Sequence, residues 1–429
     1  MGYDLLPAKQ KRMVDVDVKS LFSPKAFFPN PTIDDIKRLG LFHPTITYNR
    51  GTFFMCEKGV SALKRLTSII SGLAALSDSV SRTETWTQVL SSYNKWIEQL
   101  LEPSGQEFVE AVVDALLALI KDYEFMIRLE GLDIKDQDAL ELGPVRVQRP
   151  DRALLEKSRF EHLDIDAFCD QSKDTLWMIV GCRGSPDVAA ESFEYRVTLA
   201  TGMLAIYGAI HYKGAIWRSR VRPVISPLEN RAAVSILRWE KGGEKWSMTR
   251  RWGGEQNLPL DTASIAYLTK ECFLKELGSL PARERRSELQ EAIVRSVYWF
   301  ADAYRDPNQT MQFVKLWSCA ECFFAITEEE ITEANARGIA SVLTFAGYRV
   351  IDLKEYPKFK RRLKRLYGLR SEAVHRAMFG HIETAHLDDL SHWIAWIIIS
   401  MVSLSERGYT TLRQVNEQAS RLDGLSAGE

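Results

Sequence analysis

The apolar positions of this chain repeat with a helical period at both ends and a strand-like one in the middle. From about Gly59 to Leu132 the spacing is helical, as in LIKDYEFMIRL, with a break at Glu102-Pro103-Ser104-Gly105. Ahead of it, residues 1 to 57 are irregular and proline-spotted, and PNPTIDDIKRLGLFHP predicts one short helix with Thr32 near its N-cap. Residues 133 to 155 alternate acidic and basic side chains and read as a polar linker.

Between about 156 and 275 the texture changes to short β-branched and aromatic runs, TLWMIVGCR, AAVSILRWE and KWSMTRRW. The last two flank Lys241-Gly242-Gly243-Glu244, a hairpin turn in composition. VTLATGMLAIYGAI predicts a helix against that sheet.

From about Glu284 the pattern is helical throughout. Leu289, Ile293, Val297, Phe300 and Tyr304 share one face, as do Phe313, Trp317, Ala320 and Phe324 on the next helix. Phe359, Leu363, Leu366 and Arg370 follow, then Leu387, Leu390, Ile394, Ile397 and Met401, with a shorter helix around 330 to 346. Such stripes are buried by packing into a bundle. The expected fold is mainly α with an α+β middle region. It divides into a mostly helical region 1–150, an α+β region 151–278, a four-to-five helix bundle 279–412 and a polar tail 413–429.

Composition adds bounds. The chain has 429 residues, 45% hydrophobic and 26% charged, which suits a globular protein of two or three domains. A formal net charge of -1 provides no global field, so any polyanion site must come from local segregation of charge. The N-terminus lacks a signal-peptide layout, and Leu6 stands where a myristoylation signal wants Ser or Thr. The longest apolar run, Trp393 to Leu404, is shorter than the roughly 20 residues of a membrane span. These features predict a cytoplasmic protein without membrane contact. Of the cysteines at 56, 169, 182, 272, 319 and 322, only Cys319 and Cys322 form a close pair, and they are expected to be buried thiols rather than half of a zinc site. No cofactor is expected.

Charge does segregate near the C-terminus. From Arg349 to Arg376 ten Lys or Arg stand against three Asp or Glu, a local excess of seven positive charges centred on KFKRRLKR. Such a run is either a solvated helix face or a surface that follows phosphates. Just beyond it, LYGLRSEAVHR holds Arg370 and His375. Five residues turn about 500° on an α-helix, so the two side chains stand roughly 140° apart. Arg370 continues the apolar seam of Phe359, Leu363 and Leu366, whereas His375 falls with Arg361, Lys364 and Gly368. They meet only if the helix bends near Gly368 or if two chains share a cleft.

As residue types, Arg and His suit metal-free cleavage of a phosphodiester. His relays a proton to or from a ribose 2′-hydroxyl or a leaving 5′-oxygen, and Arg offers donors to the extra charge of the transition state.

Residues about 285 to 405 resemble the HEPN superfamily, and within it the Apea-like group of bacterial abortive-infection proteins. The resemblance is carried by AIVRSVYWFADAYRDPNQTMQFVKLWSCAECFF, by the basic helix, and by LYGLRSEAVHR around an R-x4-6-H motif. It implies a helical bundle, a homodimer that pairs two motifs in one cleft, and metal-independent endoribonuclease activity released during phage infection. It assigns catalytic positions to Arg370 and His375, a supporting acidic position to Glu321 and the polar position after the arginine to Ser371. The basic helix then meets the RNA substrate through Lys358, Lys360, Arg361, Arg362, Lys364, Arg365 and Arg376, and residues 1–278 sense a phage-derived trigger. Family members often carry Asn, Asp or His where this chain has Ser371, and commonly Gly where it has Arg376. The alternative is a non-catalytic HEPN module for dimerisation or for RNA or partner binding.

Other features point less far. His375, His381, His386 and His392 lie close in sequence, but the five-residue gap in HIETAH does not suit two helical ligands of one ion. IWRSRVRPV and LRWEKGGEKWSMTRRW can stack bases or form a hairpin with one basic face. GCRGSPD lacks the Lys-Ser/Thr ending of a phosphate loop.

Overall fold

The computed structural model describes residues 2–28, 45–48, 51–150, 152–157, 164–212, 221–223, 234–239, 246–251, 257–326, 330–376 and 381–426. The short helix expected at Thr32 lies outside these residues. The chain divides into two compact units, Met1–Glu124 with Gly181–Phe193, and Phe125–Val180 with Glu194–Glu429.

The first unit is helical. Helices α1 (Ala8–Leu21), α2 (Glu57–Ser71), α3 (Arg82–Glu98) and α4 (Gly105–Leu117) accompany an antiparallel pair, β1 (Thr45–Tyr48) and β2 (Gly51–Phe54). The predicted break before Gly105 is real: Ser104 caps α4 and exchanges hydrogen bonds with Glu107, as Ser81 does with Glu84 at the start of α3. Val14, Val18, Leu63, Leu66, Tyr93, Phe108 and Val112 fill the core. Inside it, the Tyr93 hydroxyl donates to the Leu21 carbonyl at 2.6 Å, and buried Asp17 is paired with Arg65 at 2.6 Å.

A five-stranded sheet whose residues belong mainly to the second unit has the order β5–β6–β7–β3–β8 and is formed by β3 (Lys121–Glu130), β5 (Ala139–Leu142), β6 (Val145–Gln148), β7 (Leu176–Gly184) and β8 (Arg222–Pro223). β6 runs antiparallel to both β5 and β7. A separate parallel pair joins β4 (Leu132–Ile134) to β11 (Leu258–Leu260).

This sheet corrects two expectations. LIKDYEFMIRL is not helical, because Tyr123, Phe125, Ile127 and Leu129 alternate with Asp122, Glu124 and Arg128, a period of two whose burial follows the same alternation. The stretch read as a linker from 133 to 155 instead contributes β5 and β6 to the sheet, with Leu140, Leu142, Val145 and Val147 buried between exposed charges. Its turn needs Gly143, which has φ 63° and approaches Gly278 so closely that a Cβ would stand 2.2 Å from the Gly278 carbonyl oxygen. The two tryptophan-rich runs pair antiparallel as β9 (Val234–Trp239) and β10 (Trp246–Arg251), with Trp239 opposite Trp246. The turn expected between them lies outside the described residues.

Short helices α5 (Arg152–Lys157) and α6 (Ile165–Ser172) precede β7 in the chain, and α8 (Thr262–Glu271) and α9 (Leu274–Ser279) follow β11. VTLATGMLAIYGAI is helical, as expected, within α7 (Pro186–His211). From Tyr195 onward it packs on the bundle: Gly202 meets Val297, and Tyr195 stacks on Tyr298 at 5.8 Å.

The bundle comprises α10 (Glu288–Arg305), α11 (Gln309–Phe324), α12 (Ile331–Phe345), α13 (Tyr356–Arg376), α14 (Thr384–Glu406) and α15 (Leu412–Ser426). Every hydrophobic residue of the four predicted stripes is buried. The stretch read as a polar tail is instead α15, which buries Val415 and Ala419 and donates from Asn416 to the Phe323 carbonyl at 2.8 Å. Its few apolar residues, Leu412, Val415, Ala419 and Leu422, are spaced by three and four, which suffices for a helix lying in a groove already built by others. By length and composition α14 has the character of a membrane span, yet 67% of its apolar window is buried inside the fold, where it serves as a core helix.

Candidate functional site

The site is built on α13. Leu363 and Leu366 anchor its seam, and Phe359 meets Trp393 of α14 edge-on at 4.8 Å. One turn further along that seam comes Arg370, whose side chain is 19% exposed. A guanidinium there needs a counter-charge, because an unpaired buried cation is costly. Glu321 of α11 supplies it, with Arg370 Nη2 at 3.0 Å from Oε1. Tyr367 donates to the same oxygen at 2.8 Å, and the Arg370 guanidinium lies over the Tyr367 ring at 5.5 Å. Trp317, fully buried, closes the group edge-on against Tyr367 at 5.0 Å. Burial, then the Glu321 carboxylate, pushes the Tyr367 phenol above its ordinary value, so it stays a donor. Arg370 Nε is buried and finds no acceptor among the described residues.

Arg370 and Glu321 are therefore in contact, whereas His375 stands apart. α13 is helical without interruption from Tyr356 to Arg376, including Gly368, where an added Cβ would meet nothing within 4 Å. No break at Gly368 swings His375 round, and it is exposed on the opposite side of the helix. Ser371 lies between the two, half-buried.

The basic run is divided in the same way. Lys360 is 16% exposed and bonded to Glu333 of α12 at 2.7 Å and Asp423 of α15 at 2.8 Å. Lys364 is bonded to Glu333, and Arg362 to Asp389 while lying over the Trp393 ring at 4.9 Å. These three cations, expected at the RNA, tie α13 to its neighbours. Lys358 keeps a loose contact with Glu355 at 3.6 Å. Arg361, Arg365 and Arg376 are exposed and in no ion pair among the described residues. With Gly368 and His375 they form one open face of α13.

The remaining candidates have separate roles. His392 Nδ1 donates to the Ala209 carbonyl at 2.8 Å, and His386 Nδ1 accepts the Glu383 N–H at 3.2 Å. Burial raises the Cys319 thiol well above its ordinary value and Cys322 to about 11, which keeps both protonated. No group of three or more His, Cys, Asp and Glu side chains able to hold a metal ion occurs among the described residues. Sequence reading missed Tyr367, although its place three residues before Arg370 on a helix is a usable signal. It also left His386 without a role.

Compared with protein-family models, with curated proteins and with solved structures, the chain matches none.

Proposed function

We propose that the chain is a metal-independent endoribonuclease of the HEPN type, a toxic effector of bacterial antiphage defence, whose cutting cleft is shared by two copies of its C-terminal bundle. The observation that carries this reading is the split of α13. A fixed Arg370 and an exposed His375 face opposite sides of one unbroken helix. One copy alone does not join them, but two copies related by a two-fold axis can set the histidine of each against the arginine of the other.

In such a cleft His375 takes the proton of a ribose 2′-hydroxyl as its oxygen bonds to phosphorus. Arg370 stabilises the added charge, and the 5′-oxygen leaves with a proton from the second copy's imidazolium. The products are a 2′,3′-cyclic phosphate and a 5′-hydroxyl. Glu321 and Tyr367 act as positioning residues for Arg370, Ser371 is a polar neighbour at the cleft, and Arg361, Arg365 and Arg376 steer the RNA. Residues 1–278 receive the phage-derived trigger.

The test is incubation of total RNA with purified wild type and His375→Ala, with and without EDTA. Wild type cuts in both conditions, and His375→Ala loses at least ~100-fold in rate. Undiminished cutting by the variant, or loss of activity in EDTA, overturns the proposal.

The ion pair itself favours a second reading. Arg370 already has a carboxylate partner, as a purely structural arginine would. On that reading the bundle is a non-catalytic module for dimerisation or for RNA or partner binding, and triggered protein retains RNA uncut.

A further inference from the structure

Between α13 and the first turn of α14 lies a cavity of about 300 Å³ lined by Arg362, Arg365, Leu366, Leu369 and His386. Arg362 is committed to Asp389 and to the face of Trp393, so it forms a fixed wall. Arg365 is exposed and in no ion pair among the described residues. His386 accepts the Glu383 backbone N–H at Nδ1, which makes Nε2–H the donor of its neutral ring. The cavity thus gathers a guanidinium fork from one helix and an imidazole N–H from another, above a floor of two leucines.

Such donors match an anion with several oxygens, and a phosphate accepts from both at once. The surroundings extend the match beyond a single ion. Arg361, one turn before Arg365, and Arg376, beyond it on the same face, are both exposed, so positive charge continues past the cavity along the helix. We propose that this cavity seats one phosphate group of a single-stranded polynucleotide, with Arg365 and His386 as its donors and Leu366 and Leu369 beneath the adjoining sugar or base. The site rests on the reading that the bundle meets RNA but requires no catalysis by Arg370 or His375.

The test uses the full chain and a fluorescent 2′-O-methyl oligoribonucleotide, which has no free 2′-hydroxyl to attack. Arg365→Ala binds it about tenfold more weakly than wild type, and the slope of log affinity against log salt falls by about 0.7. His386→Glu binds more weakly still. Because Glu at this position also accepts the N-cap N–H, that variant keeps its thermal unfolding midpoint, which separates lost binding from lost fold. The probe cannot be cut by any variant, so loss of its binding in Arg365→Ala tests the site, whereas cutting of unmodified RNA by wild type tests the nuclease reading, and the two can fail separately.

Inorganic phosphate forms the second arm. If it binds wild type but not Arg365→Ala while the oligonucleotide is indifferent to both variants, the polynucleotide assignment is overturned in favour of a free phosphate. If neither variant changes the binding of either probe, the site itself is overturned.

Discussion

The two sides of α13 use the same residue types for opposite ends. On the inner side Lys360, Arg362 and Arg370 each have a carboxylate partner, namely Glu333 with Asp423, Asp389 and Glu321, and Lys364, at the edge of the exposed face, is bonded to Glu333 as well. On the outer side Arg361, Arg365 and Arg376 have none among the described residues, and Gly368 leaves the backbone open between them. A basic run is therefore no single feature. Half of it is mortar inside a bundle, where a cation needs a partner, and half remains charge available to a ligand.

Three experiments press on that contrast. The largest effect is expected on the inner side. Glu321→Ala leaves Arg370 without its carboxylate, and because each side chain of the pair is about one-fifth exposed, the loss in unfolding free energy is about 1–3 kcal/mol. Chemical denaturation measures it, and the double variant Glu321→Leu with Arg370→Met recovers most of the loss. Equal stability of wild type and Glu321→Ala would show that packing alone holds the seam.

Acid provides the intermediate effect. Burial by itself raises the Glu333 and Asp423 carboxyls, but hydrogen bonds from Lys360 and Lys364 to the first, and from Lys360 and Tyr356 to the second, outweigh it and leave both lowered. Groups lowered in the folded state stabilise it fully above their unfolded values of about 4 and lose that contribution as the pH falls through the folded ones. Lys360→Met therefore flattens the acid limb of the stability profile relative to wild type. An unchanged limb would remove this cluster from the account.

The outer side should move least in stability and most in binding. Arg361→Ala or Arg376→Ala changes unfolding free energy by less than about 0.5 kcal/mol, while RNA binding weakens and becomes less salt-dependent. A stability loss as large as that of Glu321→Ala would erase the distinction between the two sides.

Legibility in the sequence followed period and spacing. Leu289 to Tyr304, Phe313 to Phe324 and Leu387 to Met401 could be read as helices because each repeats its apolar residues for about three to four turns, and each stripe is buried as expected. The β3 segment misled because its apolar residues at two-residue steps, flanked by Leu119 and Ile120, also satisfy parts of a helical template. α15 escaped notice because its docking surface is supplied by α11 and α12, outside its own residues. At the site, the Arg370–His375 angle followed from helix geometry alone. The partners of the basic residues did not, since Glu333, Asp389 and Asp423 stand tens of residues away in sequence.

By itself the sequence determined the helical C-terminal region, the seam position of Arg370 and the opposite placement of His375, all consequences of a fixed 3.6-residue turn. Only the tertiary structure decided which cations are spent. Charge is a property of a residue, but neutralisation is a property of its neighbours, and packing brings those together across distant helices. It therefore left Arg361, Arg365 and Arg376 outside every ion pair among the described residues, gave Arg370 its carboxylate, and placed His386 in the lining of a cavity shared with Arg365.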